Sequence, residues 1–308
     1  MKLGYGSGGN VYEMNFKGIV FARKDIILAG HANPNDWKQV LRELETIKLC
    51  HKCAFVVQYF GYLQYRHDVY TSVSIFMEKL PYSCSDLIQK SENRKSNCEK
   101  EPYIPEYVCG RMIACVVNAL YFLKYDMNII HRDIKPSNIL VDRDGRFKLC
   151  DFGISGPLQN SAALTAVGSW PYMAPEKFTN EKYDIKSDIW SVGMTVFEMA
   201  MLENPFNCGD YCTTMCAIQS KCPRLTPARI YEYDENGKNH TIKEYFTEEF
   251  MDFVHRILEK NPENRPNFKE LKEFKFFCDH DIQLAHIGSG LQQNWKSVGK
   301  WLDDFTLV

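Results

Sequence analysis

The amino-acid sequence predicts an α+β fold in which a small strand-rich part precedes a larger helical part. Up to about residue 80, short apolar runs such as GIVFA and VSIFM alternate with turn residues, a pattern typical of β-strands. Beyond Pro81 the apolar residues recur at the spacing of helix faces. One such face contains Val108, Met112, Cys115, Ala119 and Phe122, and another contains Phe250, Phe253, Val254, Ile257 and Leu258.

Composition and charge argue against several classes of protein. Of the 308 residues, 45% are hydrophobic and 25% are charged, which is ordinary for a globular chain. The formal charge of -2 creates no overall field that would attract DNA, RNA or anionic lipid. No secretory signal opens the sequence, and its apolar runs are shorter than the roughly 20 residues that span a bilayer. We therefore expect no nucleic-acid or membrane partner, and a location in the cytoplasm or nucleus.

The twelve cysteines favour buried thiols over disulfides, because they are scattered along a chain that lacks an export signal. Cys50 and Cys53 have the spacing of metal ligands, but no second pair of that spacing accompanies them. Cys208, Cys212 and Cys216 recur every four residues, as on one face of a helix. We expect no structural zinc.

One helix is predicted within the strand-rich part, after the turn segment NPND. Its apolar residues Val40, Leu44 and Ile47 lie within about 60° of one another around the helix axis. Two polar stretches, 91–101 and 231–240, contain few apolar residues and are predicted to be surface loops.

Glu43 borders the apolar face of that helix, about 40° from Ile47. A carboxylate at the edge of a buried face usually needs a cation. Lys24, just after the predicted strand IVFA, is one candidate, and an exposed ion pair of Glu43 with Arg42 or Lys48 is the alternative.

A glycine-rich segment near the N-terminus fits a phosphate-binding loop. The segment GYGSGGNV lets the backbone approach phosphate groups and direct its N–H groups at them. Such a loop also opens dinucleotide-binding folds, but there a helix follows, whereas the following NVYEM is typical of a strand. A flap over a nucleotide is therefore favoured. Its candidate residues are Leu3, Gly4, Tyr5, Gly6, Ser7, Gly8, Gly9, Asn10 and Val11.

Most candidate catalytic residues lie in HRDIKPSN, which begins at His131, and in DFG, which begins at Asp151. Two apolar runs between them flank the turn DRDGR and predict a hairpin. The midpoint between Asn138 and Asp151 falls inside that turn, so a symmetric hairpin would place both side chains at its open end, where they could share Mg²⁺. Asp133 could then accept a proton from an attacking hydroxyl.

In their order and spacing, these motifs resemble those of the eukaryotic protein kinases. The resemblance includes the glycine loop, FARK around Lys24, the HRD segment, DFG and APE, and it covers about residues 3–277. It implies a bilobal kinase fold that uses ATP and Mg²⁺. The implied parts are an N-lobe over 1–80 with a shortened first strand, a C-lobe over 81–278 and a tail over 279–308.

The resemblance also implies a role for each matching residue. Lys24 would bind the nucleotide phosphates with Glu43 as its ion-pair partner, Asp133 would be the catalytic base, and Lys135 would contact the transferred phosphoryl group. The implied magnesium ligands are Asn138 and Asp151, and the implied residues around adenine are Met77, Glu78 and Leu80.

Three further residues are implied to support the fold. Asp188 would hold the backbone of the catalytic loop, and Arg265 would pair with Glu176. Cys150, next to the DFG segment, is predicted to be a small buried residue rather than a reactive thiol.

Within the kinases, KLCDFGISG and GSWPYMAPE resemble the MAP kinase kinases, in particular the stress-responsive branch. Ser161 and Thr165, four residues apart, match the paired activation sites of that family. Phosphate groups there could order the loop against Arg132. The implied partners are a downstream MAP kinase as substrate and an upstream MAP kinase kinase kinase as activator.

The implied reaction is transfer of the ATP γ-phosphoryl group to the threonine and tyrosine of a MAP kinase activation loop. Only three residues precede Gly4, so the N-terminal docking segment of MAP kinase kinases is expected to be missing. This leaves two alternatives open: a pseudokinase scaffold that binds MAP kinases, and a serine/threonine kinase outside the cascade.

Overall fold

The structure is a computed structural model. It describes residues 1–6, 9–29, 44, 48–66, 70–96, 104–151, 169–179, 184–226, 229–233, 240–244, 246–281 and 298–303.

A five-stranded antiparallel sheet forms the N-terminal part, with its strands in the order β1-β2-β3-β5-β4. The strands are β1 (Lys2–Gly6), β2 (Gly9–Phe16), β3 (Ile19–Ala29), β4 (Tyr59–Arg66) and β5 (Tyr70–Glu78). Lys17 and Gly18 connect β2 to β3 with positive φ angles, a turn geometry that matches the right-handed twist of the two strands. The predicted strand-rich part is thus confirmed.

One face of this sheet is buried. Ala22, Lys24 and Ile26 on β3, and Val73 and Ile75 on β5, alternate with more exposed residues. Because successive side chains of a strand point to opposite faces, this alternation directs Lys24 to the interior.

The helix predicted after β3 is described only in part. Leu44 and Lys48 are helical, and Leu44 is fully buried, as its place in the apolar face predicts. Val40, Glu43 and Ile47 lie outside the described residues.

The C-terminal part is built around α2, in which 14 of 20 residues are buried. The helices are α1 (Cys84–Ser96), α2 (Glu106–Tyr125), α3 (Ile185–Met201), α4 (Tyr211–Ser220), α5 (Glu248–Ile257), α6 (Phe268–Leu271) and α7 (Lys275–His280). Among the described helices, α2 alone is long and apolar enough to cross a membrane. However, 78% of its most apolar 18-residue window is buried inside the protein, so these side chains form the core.

The predicted hairpin is present as β7 (Ile139–Val141) and β8 (Phe147–Leu149), and β6 (Tyr82–Ser83) pairs with β7. Its register differs from the symmetric alignment of Asn138 with Asp151. Ile139 pairs with Leu149, and the Cys150 N–H donates to the Asn138 carbonyl at 3.0 Å, so Cys150 lies opposite Asn138. Asp151 leaves the strand with φ +61°.

The prediction of two surface loops was wrong in part. Helix α1 continues to Ser96, and its buried positions, Cys84, Leu87, Ile88 and Ser91, follow helical spacing. Because Ser91 is polar, the apolar pattern of the sequence does not show the last of these positions. In the second stretch, β9 (Arg229–Tyr233) and β10 (His240–Glu244) form a hairpin.

The end of the chain packs against the turn of the β7–β8 hairpin. Residues 298–303 are helical, and Val298 and Leu302 are each 1% exposed. A Cβ atom added to Gly145, which has φ +81°, would lie 2.6 Å from the Val298 side chain. Glycine at this turn therefore permits both the backbone conformation and the close approach of the C-terminal helix.

Candidate active site

A cleft of about 650 Å³ lies between the five-stranded sheet and the β7–β8 hairpin. The predicted site residues that line it are Leu3, Val11, Lys24, Met77, Glu78, Leu80, Lys135, Asn138 and Asp151. Of the remaining residues of the glycine loop, Gly4, Tyr5 and Gly6 lie on β1 and Gly9 and Asn10 lie on β2, whereas Ser7 and Gly8 fall outside the described residues. The structure therefore brings six of the thirteen predicted nucleotide-binding residues to one cavity, together with Lys135, Asn138 and Asp151.

Gly9 shows a requirement for glycine that the motif alone does not reveal. A Cβ atom at this position would lie 2.0 Å from the backbone oxygen of Asp25 on β3. A side chain at Gly9 would therefore force β2 and β3 apart, so this glycine is required by strand packing.

Lys24 reaches the opposite wall of the cleft. Its Nζ lies 2.8 Å from Asp151 Oδ2, and its side chain is only 3% exposed. A buried ammonium group needs a compensating negative charge, which Asp151 supplies. The contact joins β3 to the segment after β8. The predicted ion pair with Glu43 lies outside the described residues.

The carboxylate of Asp133 is fixed at both of its oxygens. Ser169 Oγ donates to Oδ1 at 2.9 Å, Lys135 Nζ lies 3.0 Å from Oδ2, and Asn138 Nδ2 donates to Oδ2 at 2.9 Å. Burial alone would raise the pKa of Asp133, but the Lys135 charge and the hydrogen bonds from Lys135 and Ser169 outweigh it, so the pKa is lowered. Asp133 is therefore ionised at neutral pH.

Asn138 uses one end of its amide to hold Asp133. Nδ2 donates to the Asp133 backbone oxygen at 2.7 Å as well as to its carboxylate. The side-chain oxygen is then the atom that could bind a cation. The described residues contain no group of three His, Cys, Asp or Glu side chains that could hold a metal ion. Oxygen atoms of Asn138 and Asp151 fit Mg²⁺, which takes few protein ligands and completes its shell with phosphate and water.

The backbone of the HRD segment, which contains Asp133, is held by Asp188. The N–H groups of His131 and Arg132 each donate to Asp188 at 3.0 Å, and Arg132 has φ +72°. Asp188 is 1% exposed in the first turn of α3. Its two bonds help to hold a backbone conformation that a non-glycine residue rarely adopts. The predicted role of Asp188 is confirmed.

His131 connects the same loop to β8. The Asp133 N–H donates to Nδ1 at 3.2 Å, so Nε2 carries the ring proton and donates to the Cys150 carbonyl at 2.9 Å. Burial lowers the pKa of His131, so the ring is neutral at physiological pH. A neutral ring of this tautomer links Asp133 to the strand that leads into Asp151.

A second buried ion pair lies below the loop, where Arg265 meets Glu176. The Nη1–Oε1 distance is 2.9 Å and the Nη2–Oε2 distance is 3.2 Å, and Ser187 donates to the same carboxylate at 2.9 Å. Burial would raise the pKa of Glu176, but these partners lower it. The predicted pairing is confirmed.

Comparison with known proteins agrees with this geometry. The family model for the protein kinase domain matches residues 1–277. The chain belongs to the protein kinase family.

Curated relatives place the chain more closely, among the MAP kinase kinases. Dual specificity mitogen-activated protein kinase kinase jkk-1 of Caenorhabditis elegans is 34% identical over 308 residues, covering 98% of this chain and 66% of that protein. The human kinase kinase 7 is 34% identical over 297 residues, covering 94% and 64%. The mek-2 kinase kinase of C. elegans is 33% identical over 308 residues, covering 92% and 76%. The chain spans about two thirds of the length of jkk-1 and of the human kinase kinase 7, and half of the length of the mouse kinase kinase 7.

One prediction about this kinase's cleft, that Cys150 is a buried residue, is confirmed. Leu80 packs with Val57 and Cys150 in a small buried cluster, against which Met77 also packs. Burial raises the pKa of the Cys150 thiol well above its ordinary value, which agrees with a buried core residue rather than a reactive one. Glu78 is held by Lys148, whose Nζ lies 2.7 Å from Oε1.

Ser169 is a site residue that sequence reasoning missed. Its hydroxyl accepts from Lys135 Nζ at 2.8 Å and donates to Asp133, so it completes a triangle with both residues. In the sequence it lies 36 residues after Asp133, and only its place in GSWPYMAPE could have indicated it. The predicted phosphorylation sites Ser161 and Thr165 lie outside the described residues.

Proposed function

We propose that this protein is a dual-specificity MAP kinase kinase that transfers the γ-phosphoryl group of ATP to the threonine and tyrosine of a MAP kinase activation loop. The observation that supports this best is the buried Asp133 carboxylate, ionised and fixed by Ser169 and by Lys135 and Asn138, two residues that line a cleft of about 650 Å³. The names of the relatives support the class of substrate.

In this reaction Asp133 acts as the base. The acceptor hydroxyl attacks the γ-phosphorus, its proton passes to Asp133, and the bond from the γ-phosphorus to the bridging oxygen breaks to release ADP. The hydrogen bonds from Ser169 to Oδ1 and from Asn138 to Oδ2 orient the Asp133 carboxylate before the acceptor arrives. The Lys135 ammonium group can stabilise the negative charge of Asp133 before the reaction and that of the phosphoryl oxygens during it, because its Nζ already lies beside Asp133.

The nucleotide end of the site uses Lys24, Asn138 and Asp151. Bound Mg²⁺ would neutralise charge on the phosphate oxygens, and Asn138 and Asp151 would hold it. Lys24 is then the cation for the remaining phosphate charge, for which its contact with Asp151 already orients it. Met77, Glu78 and Leu80 surround the adenine end of the cleft.

Activation depends on an upstream MAP kinase kinase kinase that phosphorylates Ser161 and Thr165. Each phosphate group adds a charge of about -1.5 to -2 and three acceptor oxygens. Arg132, whose backbone is fixed by Asp188, is the predicted partner for this charge.

The test combines the Ser161→Asp/Thr165→Asp protein with Mg·ATP and a panel of catalytically dead MAP kinases, and maps the phosphorylated residues by mass spectrometry. Modification of both threonine and tyrosine in one loop, abolished by Asp133→Asn, is the expected result. Modification of serine or threonine only would indicate a kinase outside the cascade. Absence of any transfer together with a thermal shift in Mg·ATP would indicate a scaffold.

A further inference from the structure

The outer face of the five-stranded sheet, opposite the face that buries Lys24, is apolar at both of its ends. At the end near the β2–β3 turn, Phe16 pairs with Ile19, and Phe21 follows two residues later on the same face. We refer to Phe16, Ile19 and Phe21 as the turn-end cluster. Antiparallel sheets with one face in water usually carry polar side chains on that face, which this cluster does not.

A second apolar cluster occupies the opposite end of the same face. Ile27 on β3 and Tyr65 on β4 both pair with Ser72 of β5, and Leu63 lies two residues before Tyr65 on the same face. We refer to Ile27, Leu63 and Tyr65 as the far-end cluster. Five of the six side chains in the two clusters are between 47% and 67% exposed. Single exposed apolar residues are ordinary, but such a group on one face marks an interaction surface.

One charge of each sign lies between the two clusters. Arg23 Nη2 lies 2.9 Å from Asp25 Oδ2, and the two side chains are 31% and 28% exposed. Ser74 Oγ donates to the other carboxylate oxygen at 2.7 Å, and the Arg23 guanidinium lies over the Tyr12 ring, 5.2 Å from its centroid. Both charges are therefore fixed in position while still partly open to solvent. We refer to the two clusters together with Arg23 and Asp25 as the outer sheet face.

The outer sheet face is complementary to itself. Two copies can pack face to face about a two-fold axis that lies between the sheets and crosses β3 near Lys24, and this symmetry reverses the strand direction of the second copy. Arg23 of each copy then faces Asp25 of the other, because these residues lie on either side of Lys24. With the two sheets crossed as in a β-sandwich, the turn-end cluster of each copy faces the far-end cluster of the other.

The outer sheet face is also large enough for a stable dimer. β3 has 11 residues. At about 3.3 Å per residue it is about 36 Å long, and β2, β3, β5 and β4 together are about 19 Å wide at about 4.8 Å per strand. Each copy therefore contributes about 700 Å², close to the roughly 800 Å² per partner of a specific protein interface.

Contact through this face would leave both clefts open. Val11 pairs with Lys24, and both residues line the cleft. They lie on the inner face of the sheet, so a second copy on the outer sheet face does not cover them. The dimer is therefore compatible with the proposed kinase reaction and does not depend on it.

We propose that the outer sheet face is the interface of a homodimer, in which two copies of this chain pack sheet against sheet with two-fold symmetry. Burial of the two apolar clusters drives association. The contacts between Arg23 and Asp25 set the relative orientation, since Arg23 would face Arg23 if the two copies of β3 ran parallel.

Sedimentation velocity of the full chain measures its mass over a roughly hundredfold range of concentration, because the dimer fraction depends on the concentration of chains. We expect the mass to rise from the 35.8 kDa of one chain to twice that value. Leu63→Glu places a carboxylate in the apolar contact and should raise the dissociation constant of the dimer roughly tenfold or more. The matched control is Leu49→Glu, since Leu49 is 46% exposed and Leu63 50%, but Leu49 lies in a 3-10 turn outside the sheet. The control should dimerise like the unmodified chain.

Charge reversal tests the two-fold arrangement. Asp25→Arg gives a face with two cations, and Arg23→Asp gives a face with two carboxylates, so each variant alone should dissociate. An equal mixture of the two variants brings a cation against a carboxylate in every contact and should restore the doubled mass. A thermal melt of each variant checks that it is folded, and a misfolded variant could not restore the dimer in the mixture.

Four results would overturn the proposal. The mass of one chain at every concentration would exclude the dimer. Equal dissociation constants for Leu63→Glu and Leu49→Glu would place the contact on another surface. Masses above two chains would mean a contact that does not close on itself. A mixture of Asp25→Arg and Arg23→Asp that stays dissociated would show that these two residues do not meet across a two-fold axis.

Discussion

Two ion pairs of this protein have similar N–O distances and different surroundings. Arg265 and Glu176 are 0% and 6% exposed, and the Arg265 guanidinium also donates to the carbonyls of Lys186, Glu259 and Lys260. Lys135 and Asp133 are 16% and 7% exposed, and Lys135 lines the cleft. The first pair has its hydrogen-bonding capacity filled by the protein. The second borders a cavity, where a substrate can take over one of its contacts.

The difference shows how to distinguish a structural pair from a functional one. A buried ion pair whose hydrogen-bond donors and acceptors are all satisfied would lose hydrogen bonds in any other arrangement. Such a pair therefore stabilises a single conformation. A charge that faces a cleft is held only on the protein side, so it remains available for chemistry. Mutations should therefore affect the stability of the protein at the first pair and its catalytic rate at the second.

The largest expected effect is that of Asp133→Asn on the rate. The amide cannot accept the proton of the acceptor hydroxyl, so kcat should fall by roughly 10²–10⁴-fold. The side-chain size is retained, and an amide turned with its oxygen towards Lys135 and Asn138 keeps both of those contacts while its NH₂ donates to Ser169 Oγ, so the unfolding temperature should change little. Kinetics and a thermal melt of the same preparation measure both quantities. A stability loss comparable to that of an Arg265 variant would contradict the distinction between the two pairs.

The next effect is that of Arg265→Ala on stability. Removal of the guanidinium leaves the buried Glu176 carboxylate without its cation, which should cost about 3–5 kcal/mol of unfolding free energy. Urea unfolding measures this, with Arg265→Lys as an intermediate variant that keeps the charge but lacks the planar fork.

Arg256→Ala is the matched control for that prediction. Arg256 and Asp252 lie at a similar distance, 3.0 Å, but are 59% and 62% exposed. Loss of such a surface pair should change the unfolding free energy by less than about 1 kcal/mol. Equal losses for Arg265→Ala and Arg256→Ala would show that burial does not decide the strength of these pairs.

The sequence predicts which residues carry the chemistry of the site better than it predicts their contacts. Lys24, Asp133, Asn138 and Asp151 can be predicted because their chemistry is tied to short motifs. Their mutual placement depends on long-range contacts that no local pattern contains. The bond from Ser169 to Asp133 closes a loop of 36 residues, and it is invisible without the fold.

Two local features of the backbone and of burial explain the remaining differences between the predicted and the observed secondary structure. The symmetric hairpin fails by one residue because Asp142 and Arg146 close the turn, so that the hairpin is centred on Asp144 rather than between Asp144 and Gly145. Loop length and turn type set this register. Helix α1 extends into the stretch predicted to be a loop, 91–101, because Ser91 occupies a buried position of its apolar face. Polar residues in buried positions break the pattern on which helix prediction depends.

The smallest effect is a shift in pH dependence, which tests why Asp133 is ionised. Burial raises the pKa of this carboxyl, and the Lys135 charge together with the hydrogen bonds from Lys135 and Ser169 lowers it by more. In the unmodified enzyme the pKa of Asp133 is below its ordinary value, so the base is lost only as the pH falls into the strongly acidic range. In Lys135→Ala the effect of burial remains without the main opposing charge. The pKa of Asp133 should then rise, and the acid limb of kcat/KM should move to higher pH.

The shape of the pH–rate profile is the relevant quantity, because Lys135→Ala should also lower the absolute rate by removing a cation from the phosphoryl group. Lys275→Ala is the control, since Lys275 is 73% exposed and pairs with Glu249 on another surface. It should leave the acid limb in place. An acid limb that stays fixed in Lys135→Ala would mean that the hydrogen bonds from Ser169 and Asn138 keep the base ionised by themselves.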